Sequence, residues 1–145
     1  LADLDAPLPL TLDAALGDVA RLIAASAPAT ATAGADLPVA LAWRAQSPSA
    51  TAFKVTVQLL GPDGRPAAQH DAEPAAGARP TTGWLPDEIV LDRHAVTLPP
   101  DLPPGDYTLA VALYHPLTAE RLPLTGGTAA AVAPGLVRLG AVRVD

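Results

Sequence analysis

Along much of this chain, apolar and polar residues alternate with the period of two that is typical of half-buried β-strands. The pattern is plainest in residues 37–44, 53–59 and 107–113, where Val, Leu and aromatic residues occupy every second position. A Gly-Pro-Asp-Gly motif at 61–64 follows the second segment and is a strong turn signal. It predicts a hairpin in which residues 65–71 return beside that segment.

Two further predicted strands change the phase of their apolar positions partway along. In residues 89–98 this change predicts a bulge near Asp92-Arg93. In residues 137–144 the same change predicts a bulge at Gly140, where the residue without a side chain tolerates an irregular ladder.

Together with an opening strand over residues 20–26, the pattern predicts about seven short strands separated by turn signals. This is typical of an all-β fold, and we expect an immunoglobulin-like antiparallel β-sandwich of Greek-key type. Tyr107 follows a Pro-Pro-Gly sequence and is predicted to form a tyrosine corner, with its hydroxyl bonded to nearby backbone. A short helix within residues 12–27 is the alternative left open, because alanine there raises helix propensity.

The chain divides into a lead-in or linker at residues 1–17 and a single β-sandwich domain at residues 18–145. Two prolines interrupt the lead-in, which is either a disordered linker or an extended segment lying on the domain. Residues 72–83 are rich in Ala, Gly and Pro and are predicted to be the longest loop. Gly126-Gly127 is expected to open a second, flexible loop.

Composition narrows the classes of function. A length of 145 residues fits one domain, and 17 Pro with 11 Gly suit a fold with many turns. The net charge of −6, with basic residues scattered along the chain, argues against nucleic acid as a partner. Cysteine is absent, which excludes disulfides and thiol chemistry. Methionine is absent too, so we expect a piece of a longer polypeptide.

Few residues of this chain are of types that bind metals or catalyse reactions, and their spacing does not match known sites of either kind. The three histidines of the chain have no zinc-ligand spacing, so no metal and no cofactor is predicted. Asp87, Glu88 and Asp92 could supply a carboxylate pair for glycoside chemistry, but exposed charges at a turn and a strand edge are the preferred interpretation. No serine lies in a nucleophile elbow. We therefore predict no catalytic residue.

Three motifs in order carry a resemblance to a known family. They are Trp-x-Pro-x-Glu at 84–88, Pro-Pro-Gly-x-Tyr at 103–107 and Tyr-x-Pro-x-Thr-x-Glu-Arg-Leu at 114–122. Over roughly residues 18–145 the chain resembles the C-terminal soluble domain of bacterial polytopic membrane glycosyltransferases. These occur especially in green non-sulfur bacteria and are related to dolichyl-phosphate-mannose-type transferases.

The resemblance implies an extracytoplasmic β-sandwich tethered to a membrane-embedded catalytic portion of the same polypeptide. It implies no catalytic residue in this chain. Two positions depart from the family pattern: His115 stands where Asp is usual and Ala119 where Gly is usual. The turn that contains them is therefore expected to differ in type.

Trp84 is the residue with two open interpretations. It could be an exposed platform for sugar stacking or an interface anchor. In the preferred interpretation it plugs one end of the sandwich. The candidate ligand or interface patch comprises Thr81, Trp84, Asp87 and Glu88, with His94 nearby.

The leading functional hypothesis is a non-catalytic accessory domain that packs against the membrane portion of its polypeptide, or contacts a glycan or other envelope component. A free-standing carbohydrate-binding module would need an exposed aromatic platform, and only 3% of the residues are aromatic. A purely structural spacer would have no concave polar patch. The oligomeric state and any ligand stay open.

Overall fold

The computed structural model describes residues 10–145, in which eleven strands form two sheets packed face to face. The strands are β1 (Leu10–Leu16), β2 (Ala20–Ser26), β3 (Thr30–Ala31), β4 (Asp36–Ala45), β5 (Lys54–Leu60), β6 (Pro66–Ala72), β7 (Ile89–Thr97), β8 (Gly105–Tyr114), β9 (Leu124–Gly127), β10 (Ala131–Ala133) and β11 (Leu136–Val144). The predicted all-β sandwich is confirmed. The strands outnumber the predicted seven partly because β3, β9 and β10 are too short to show a period of two.

Strand order defines the two faces of the sandwich. The first sheet has the order β7-β4-β2-β1-β9, and the second has the order β10-β11-β8-β5-β6, with β3 parallel to β11. Alternate residues of the central strands β4, β5 and β8 point between the sheets, and Trp43, Leu41 and Val57 among them are fully buried. Burying one such side chain contributes about 1.5–3 kcal/mol, so this layer supplies most of the driving force for folding.

The sandwich begins earlier than residue 18. β1 pairs with β2 on one side and with β9 on the other, and its Ala14 and Leu16 are completely buried. The predicted boundary is therefore wrong for residues 10–17, whereas residues 1–9 of the expected lead-in lie outside the described residues. The alternative helix over 12–27 is wrong as well, because pairing in the sheet outweighs the helix propensity of alanine.

β7 is regular where a bulge was predicted. It pairs with β4 without a register shift from Ile89 to Thr97. Its inward positions are Val90, Asp92, His94 and Val96, all buried. The predicted bulge near Asp92-Arg93 is wrong because two polar side chains occupy core-facing positions. The irregularity predicted at Gly140 is confirmed, since the β11–β8 register shifts between Arg138 and Gly140.

The Gly126-Gly127 segment is a strand rather than a flexible loop. Gly127 lies opposite Ala14, and a Cβ atom at position 127 would come 2.1 Å from the carbonyl oxygen of Asp13. Glycine is required here because the backbones of β9 and β1 approach so closely.

Two predicted local structures are present. The turn at 61–64 closes the β5–β6 hairpin, with Gly64 in the left-handed region at φ 77° and its N–H donating to the Gly61 carbonyl at 2.9 Å. The Tyr107 hydroxyl donates to the carbonyl of Pro103 at 2.7 Å, which confirms the tyrosine corner. This bond fixes the Pro-rich crossing loop to the start of β8.

The turn after β8 contains His115 and Ala119, the two positions at which the sequence departs from the family pattern. His115 Nδ1 accepts the N–H of Leu117 at 3.1 Å, a bond that an Asp side chain makes in an Asx turn. Ala119 has φ 61°, in the left-handed region where glycine is favoured. Ala119 therefore holds a strained backbone, and whether the turn differs in type from that of the family stays a prediction.

Replacing Ala119 by glycine should stabilise the protein. The left-handed region costs alanine about 1 kcal/mol relative to glycine, so Ala119→Gly should raise the free energy of unfolding by about that amount. Urea denaturation followed by tryptophan fluorescence measures the change. The matched control is Ala95→Gly on the exposed side of β7, which should lower stability by about 0.5–1 kcal/mol. Equal losses in both variants would contradict the assignment.

Candidate functional site

Trp84 lies in the interior. It is 3% exposed, and its indole N–H donates to the carbonyl of Arg79 at 2.7 Å. Thr81 is fully buried, and its hydroxyl accepts the N–H of Phe53 at 3.0 Å and donates to the carbonyl of Thr51 at 2.7 Å. Both residues fix the loop before β7 to the end of the sandwich, so Trp84 is a plug and not an exposed platform.

The two acidic residues of the predicted patch have different surroundings. Glu88 forms an ion pair with Arg79, whose Nε donates to Glu88 Oε2 at 2.9 Å, and it also accepts the N–H of Leu85 at 2.9 Å. The Arg79 hydrogen bond and then the Leu85 N–H lower the pKa of Glu88 below its usual value. Asp87 is exposed and has φ 62°. Glu88 thus holds the loop, and only Asp87 faces solvent freely.

His94 belongs to a separate hydrogen-bonded group centred on Asp92. The Asp92 side chain is fully buried between the sheets. Its Oδ2 lies 3.1 Å from Trp43 Nε1 and 2.8 Å from His94 Nε2, and its Oδ1 accepts the N–H of Ala75 at 2.9 Å. His94 Nδ1 in turn lies 2.8 Å from Nδ1 of His70 on β6.

If the His70 and His94 rings are both neutral, one arrangement of their protons gives each hydrogen bond in this group a donor and an acceptor. Because Trp43 and the Ala75 backbone can only donate, the Asp92 carboxylate accepts from both. His94 then carries its proton on Nε2 and accepts at Nδ1 from His70 Nδ1–H. The chain of bonds runs from the edge strand β6 of one sheet into β7, the edge strand of the other, so it closes this side of the sandwich.

The donor at Ala75 comes from an unusual turn. Residues Pro74–Gly77 contain Ala75 at φ 55° and Ala76 at φ 54°, both left-handed. Each costs roughly 1 kcal/mol, and the bond from Ala75 to a buried carboxylate offsets part of that cost. The predicted loop over 72–83 is therefore ordered by two single turns, of which Thr81–Gly83 is the second.

The candidate residues do not assemble an active site. Thr81, Trp84 and Glu88 fix one loop, whereas His94 and Asp92 bond to each other inside the sandwich. The three carboxylates considered for glycoside chemistry have three roles: Asp87 is exposed, Glu88 is paired with Arg79, and Asp92 accepts three hydrogen bonds inside the sandwich. Within residues 10–145 no three His, Cys, Asp or Glu side chains are grouped to hold a metal ion.

A second polar cluster lies on the outer face of the second sheet, over its neighbouring strands β8, β5 and β6. The Asp71 carboxylate accepts hydrogen bonds from the hydroxyl oxygens of Thr56 at 2.8 Å and Tyr114 at 2.7 Å. It also accepts one from the side-chain nitrogen of Gln69 at 3.2 Å. Thr56 and its neighbour Gln58 are buried although they point away from the core. A cavity of about 160 Å³ opens beside them, lined by Thr56, Gln58, Asp71, Tyr114, Ala119 and Arg121.

Gln58 has an unpaired oxygen in this cluster. Its Nε2 donates to Thr56 Oγ1 at 3.3 Å, but its Oε1 is buried and accepts no hydrogen bond from any described residue. Leaving a buried acceptor unpaired costs about 1–3 kcal/mol. The outer cluster is therefore less completely hydrogen-bonded than the group around Asp92.

The sequence pattern carried signals for both clusters that the prediction missed. If the alternation in residues 89–98 is continued without a bulge, Asp92 and His94 fall on the core side, where each needs a polar partner. Thr56 and Gln58 lie on the outer side of β5 opposite the small residues Ala112 and Ala110 of β8.

The comparisons with family models and curated proteins do not identify a family for this chain. Neither a protein-family model nor a curated protein matches this chain. Among residues 10–145 there is no helix of the length and apolar character needed to cross a bilayer.

Replacing Asp92 should test the buried group. Asp92→Asn leaves at least one of the Trp43, Ala75 and His94 donors without an acceptor, so we expect a loss of about 3 kcal/mol in the free energy of unfolding. The matched control is Asp106→Asn, which removes an exposed ion pair to Arg143 and should cost no more than about 0.5 kcal/mol. Chemical denaturation measures both, and similar small losses would contradict the assigned role.

Tyr114 provides a pH test of the outer cluster. Burial and then the Asp71 carboxylate raise the pKa of Tyr114 to about 12. In Tyr107→Phe, where Tyr114 is the only tyrosine left, tyrosinate absorbance should therefore rise with a midpoint near 12. The unfolded chain loses this proton near pH ~10, so the contribution to stability is complete below that pH and is lost as the pH rises towards 12.

A second substitution separates the two causes of this shift. Adding Asp71→Asn should lower the Tyr114 midpoint, because the negative charge and the strong acceptor are both lost. Asp101→Asn, in the exposed Pro-rich loop, should leave the midpoint unchanged. A midpoint that stays near 12 without Asp71 would mean that the carboxylate has no part in the shift.

Proposed function

We propose that this chain is a non-catalytic accessory domain, immunoglobulin-like in architecture, that acts by packing against another part of its own polypeptide. The partner is the membrane-embedded portion of a glycosyltransferase-like protein, and the domain is extracytoplasmic and tethered through that protein. The family resemblance motivates this partner and location.

The residues that carry the resemblance have structural roles in the sandwich, and this supports a non-catalytic function for the domain. Trp84 plugs one end of the core, Tyr107 fixes the crossing loop, and His115 with Ala119 shapes the turn after β8. None of these side chains points to a reacting centre. Motifs of this kind preserve a shape, as expected of a domain that presents a surface.

The surface is offered by two loops at one end of the sandwich, and this observation carries the proposal. Leu85 is 68% exposed and Leu117 is 88% exposed, on the loops before β7 and after β8. Both loops adjoin Phe53, whose N–H donates to Thr81 and whose ring meets that of His115 edge-on at 6.2 Å. Large apolar side chains held outward by ordered loops favour contact with an apolar partner.

The carbohydrate-binding alternative loses its original basis, because Trp43 and Trp84 are both buried and cannot form an aromatic platform. A structural spacer differs from an accessory domain in one respect: its loop end would touch no specific partner. Contact at Leu85 and Leu117 therefore separates the two functions.

Photocrosslinking in the membrane-bound parent protein tests this proposal. A photoreactive benzoylphenylalanine in place of Leu117 or Leu85 should form crosslinks to the membrane-embedded portion, mapped by mass spectrometry of the digested protein. The matched control replaces Arg65, an exposed residue of the hairpin at the opposite end of β5, and should give none. If Leu117 and Leu85 crosslink no more than Arg65 does, the domain is a spacer and the proposal fails.

A further inference from the structure

β7 is the longest and most regular of the strands that lie outermost in the two sheets. The outermost strands β9 and β10 have four and three residues, and β6 begins at Pro66, where its register against β5 shifts. β7 has nine residues, contains no proline and pairs with β4 without a shift. Short length, proline and bulges are the features that keep an edge strand from pairing with another chain, and β7 has none of them.

The backbone groups on the free side of β7 belong to its outward-facing residues. At the two ends of the β4–β7 ladder, the Leu98 N–H donates to the Ala35 carbonyl at 3.0 Å and the Ala45 N–H donates to the Glu88 carbonyl at 2.9 Å. Because an antiparallel ladder engages every second residue, the even-numbered residues of β7 exchange hydrogen bonds with β4. The N–H and carbonyl groups of the odd-numbered residues therefore point to the free side, where no other backbone group within residues 10–145 bonds to them.

This free side is open to solvent over the second half of β7. Arg93, Ala95 and Thr97 are exposed, whereas the two outward-facing residues before them are half-buried. The loop between β6 and β7 approaches the strand at Asp92, whose Oδ1 accepts the Ala75 N–H. The loop therefore covers the first half of the strand and leaves the second half accessible.

Two charged residues beside this free side are complementary but lie too far apart to meet within one chain. Arg93 is the one charged residue on the outward face of β7, and among residues 10–145 no carboxylate pairs with it. It lies opposite Ala40 of β4. Asp36 lies exposed at the start of β4, opposite Thr97, whose hydroxyl donates to it at 2.9 Å. Four residues of strand, about 13 Å, separate Asp36 from Ala40.

From this arrangement we infer that β7 is a binding site for β7 of a second copy of this chain, with the two strands antiparallel and Ala95 facing Ala95. In this register Arg93 lies opposite the partner's Thr97, and the strands form about six backbone hydrogen bonds. The partner's Asp36 is one strand further, about 10 Å from Arg93 between Cα atoms, which is a distance that the two side chains span together. The two-fold symmetry forms this ion pair twice.

The position of Arg93 disfavours the neighbouring registers. If Arg93 faced Arg93, two guanidinium groups would lie directly opposite each other, and like charges in that position are destabilising. If Arg93 faced Ala95, the two guanidinium groups would be diagonal neighbours, with Cα atoms about 7–8 Å apart. Centring the pair on Ala95 separates them by about 13 Å. A register centred further along would bring in Pro99, which has no N–H to donate.

The inference goes beyond the proposed packing function, because it assigns a second surface with a different partner. Adding a strand to β7 keeps the bond between His94 and His70, so β6 stays against β7. Antiparallel pairing turns the Leu85 ends of the two copies in opposite directions. The partner is therefore a copy whose loop end faces the opposite way, and two copies with their loop ends on one membrane do not pair through β7.

Sedimentation equilibrium of the 145-residue chain at neutral pH, at concentrations up to about 1 mM, tests the pairing. The unaltered chain should show a monomer–dimer equilibrium. Arg93→Glu should raise the dissociation constant about tenfold, because two attractive contacts with Asp36 become repulsive. Adding Asp36→Arg to this variant should restore the dissociation constant to within about twofold, since the charges are then exchanged.

The matched control is Arg138→Glu, which makes the same change of charge on the exposed face of β11 and should alter the dissociation constant less than about twofold. The inference is overturned if the unaltered chain is monomeric throughout. It is overturned as well if Arg93→Glu and Arg138→Glu have equal effects, or if the exchanged pair fails to restore dimerisation.

A single introduced cysteine tests the register, because the chain has no cysteine of its own. Ala95→Cys should form a disulfide-linked dimer under mild oxidation, since residues that face each other in a hydrogen-bonded antiparallel pair have Cα atoms about 5.5 Å apart. Gln69→Cys, exposed on β6, should form at least about tenfold less. Equal yields would overturn the register, and this comparison decides the matter if a charge variant fails to fold. Every variant keeps Leu85 and Leu117, so the loop-end contact and the β7 pairing can fail separately.

Discussion

The buried carboxylate of Asp92 joins four separate parts of this sandwich. It accepts hydrogen bonds from the indole of Trp43 on β4, from the backbone of Ala75 in the left-handed turn, and from His94 on its own strand. Through His94 it reaches His70 on the opposite sheet. A carboxylate taken out of water is costly unless it is hydrogen-bonded, so the buried position of Asp92 depends on these contacts. The position of β6 against β7, and the shape of the loop between them, follow from that requirement.

The two polar clusters of the domain differ in how completely their hydrogen-bonding groups are satisfied. Around Asp92 every donor has an acceptor, as expected of a group that stabilises a fold. Around Gln58 one buried oxygen is left over beside a cavity. The His70, His94 and Asp92 side chains are thus hydrogen-bonded to one another, whereas the uncharged amide of Gln58 has an oxygen that accepts no hydrogen bond from a described residue.

How far the sequence predicted the structure depended on the kind of residue that fills each strand. Where large apolar residues alternate, as from Leu37 to Trp43, the strand and its core-facing residues were predicted correctly. Prediction failed in β7, because hydrophobicity alone cannot place a polar residue inward when its partners come from distant strands. It failed also in β1 and β9, where Ala and Gly are small enough for close pairing but carry little pattern. The cavity beside Gln58 depends on contacts between three strands and a turn, which no local pattern encodes.

The inward position of Asp92 and His94 also affects how copies of this protein meet. β7 and β6 are the outermost strands of their sheets on the same side, and such strands offer unpaired backbone groups to any passing chain. A sheet continued across this border, or stacked into a fibril, would have to cover a carboxylate and an imidazole that only this closed arrangement satisfies. An arrangement that separated β6 from β7 would leave this carboxylate and imidazole without partners, and a change that made both positions apolar would remove that constraint on how the two sheets meet.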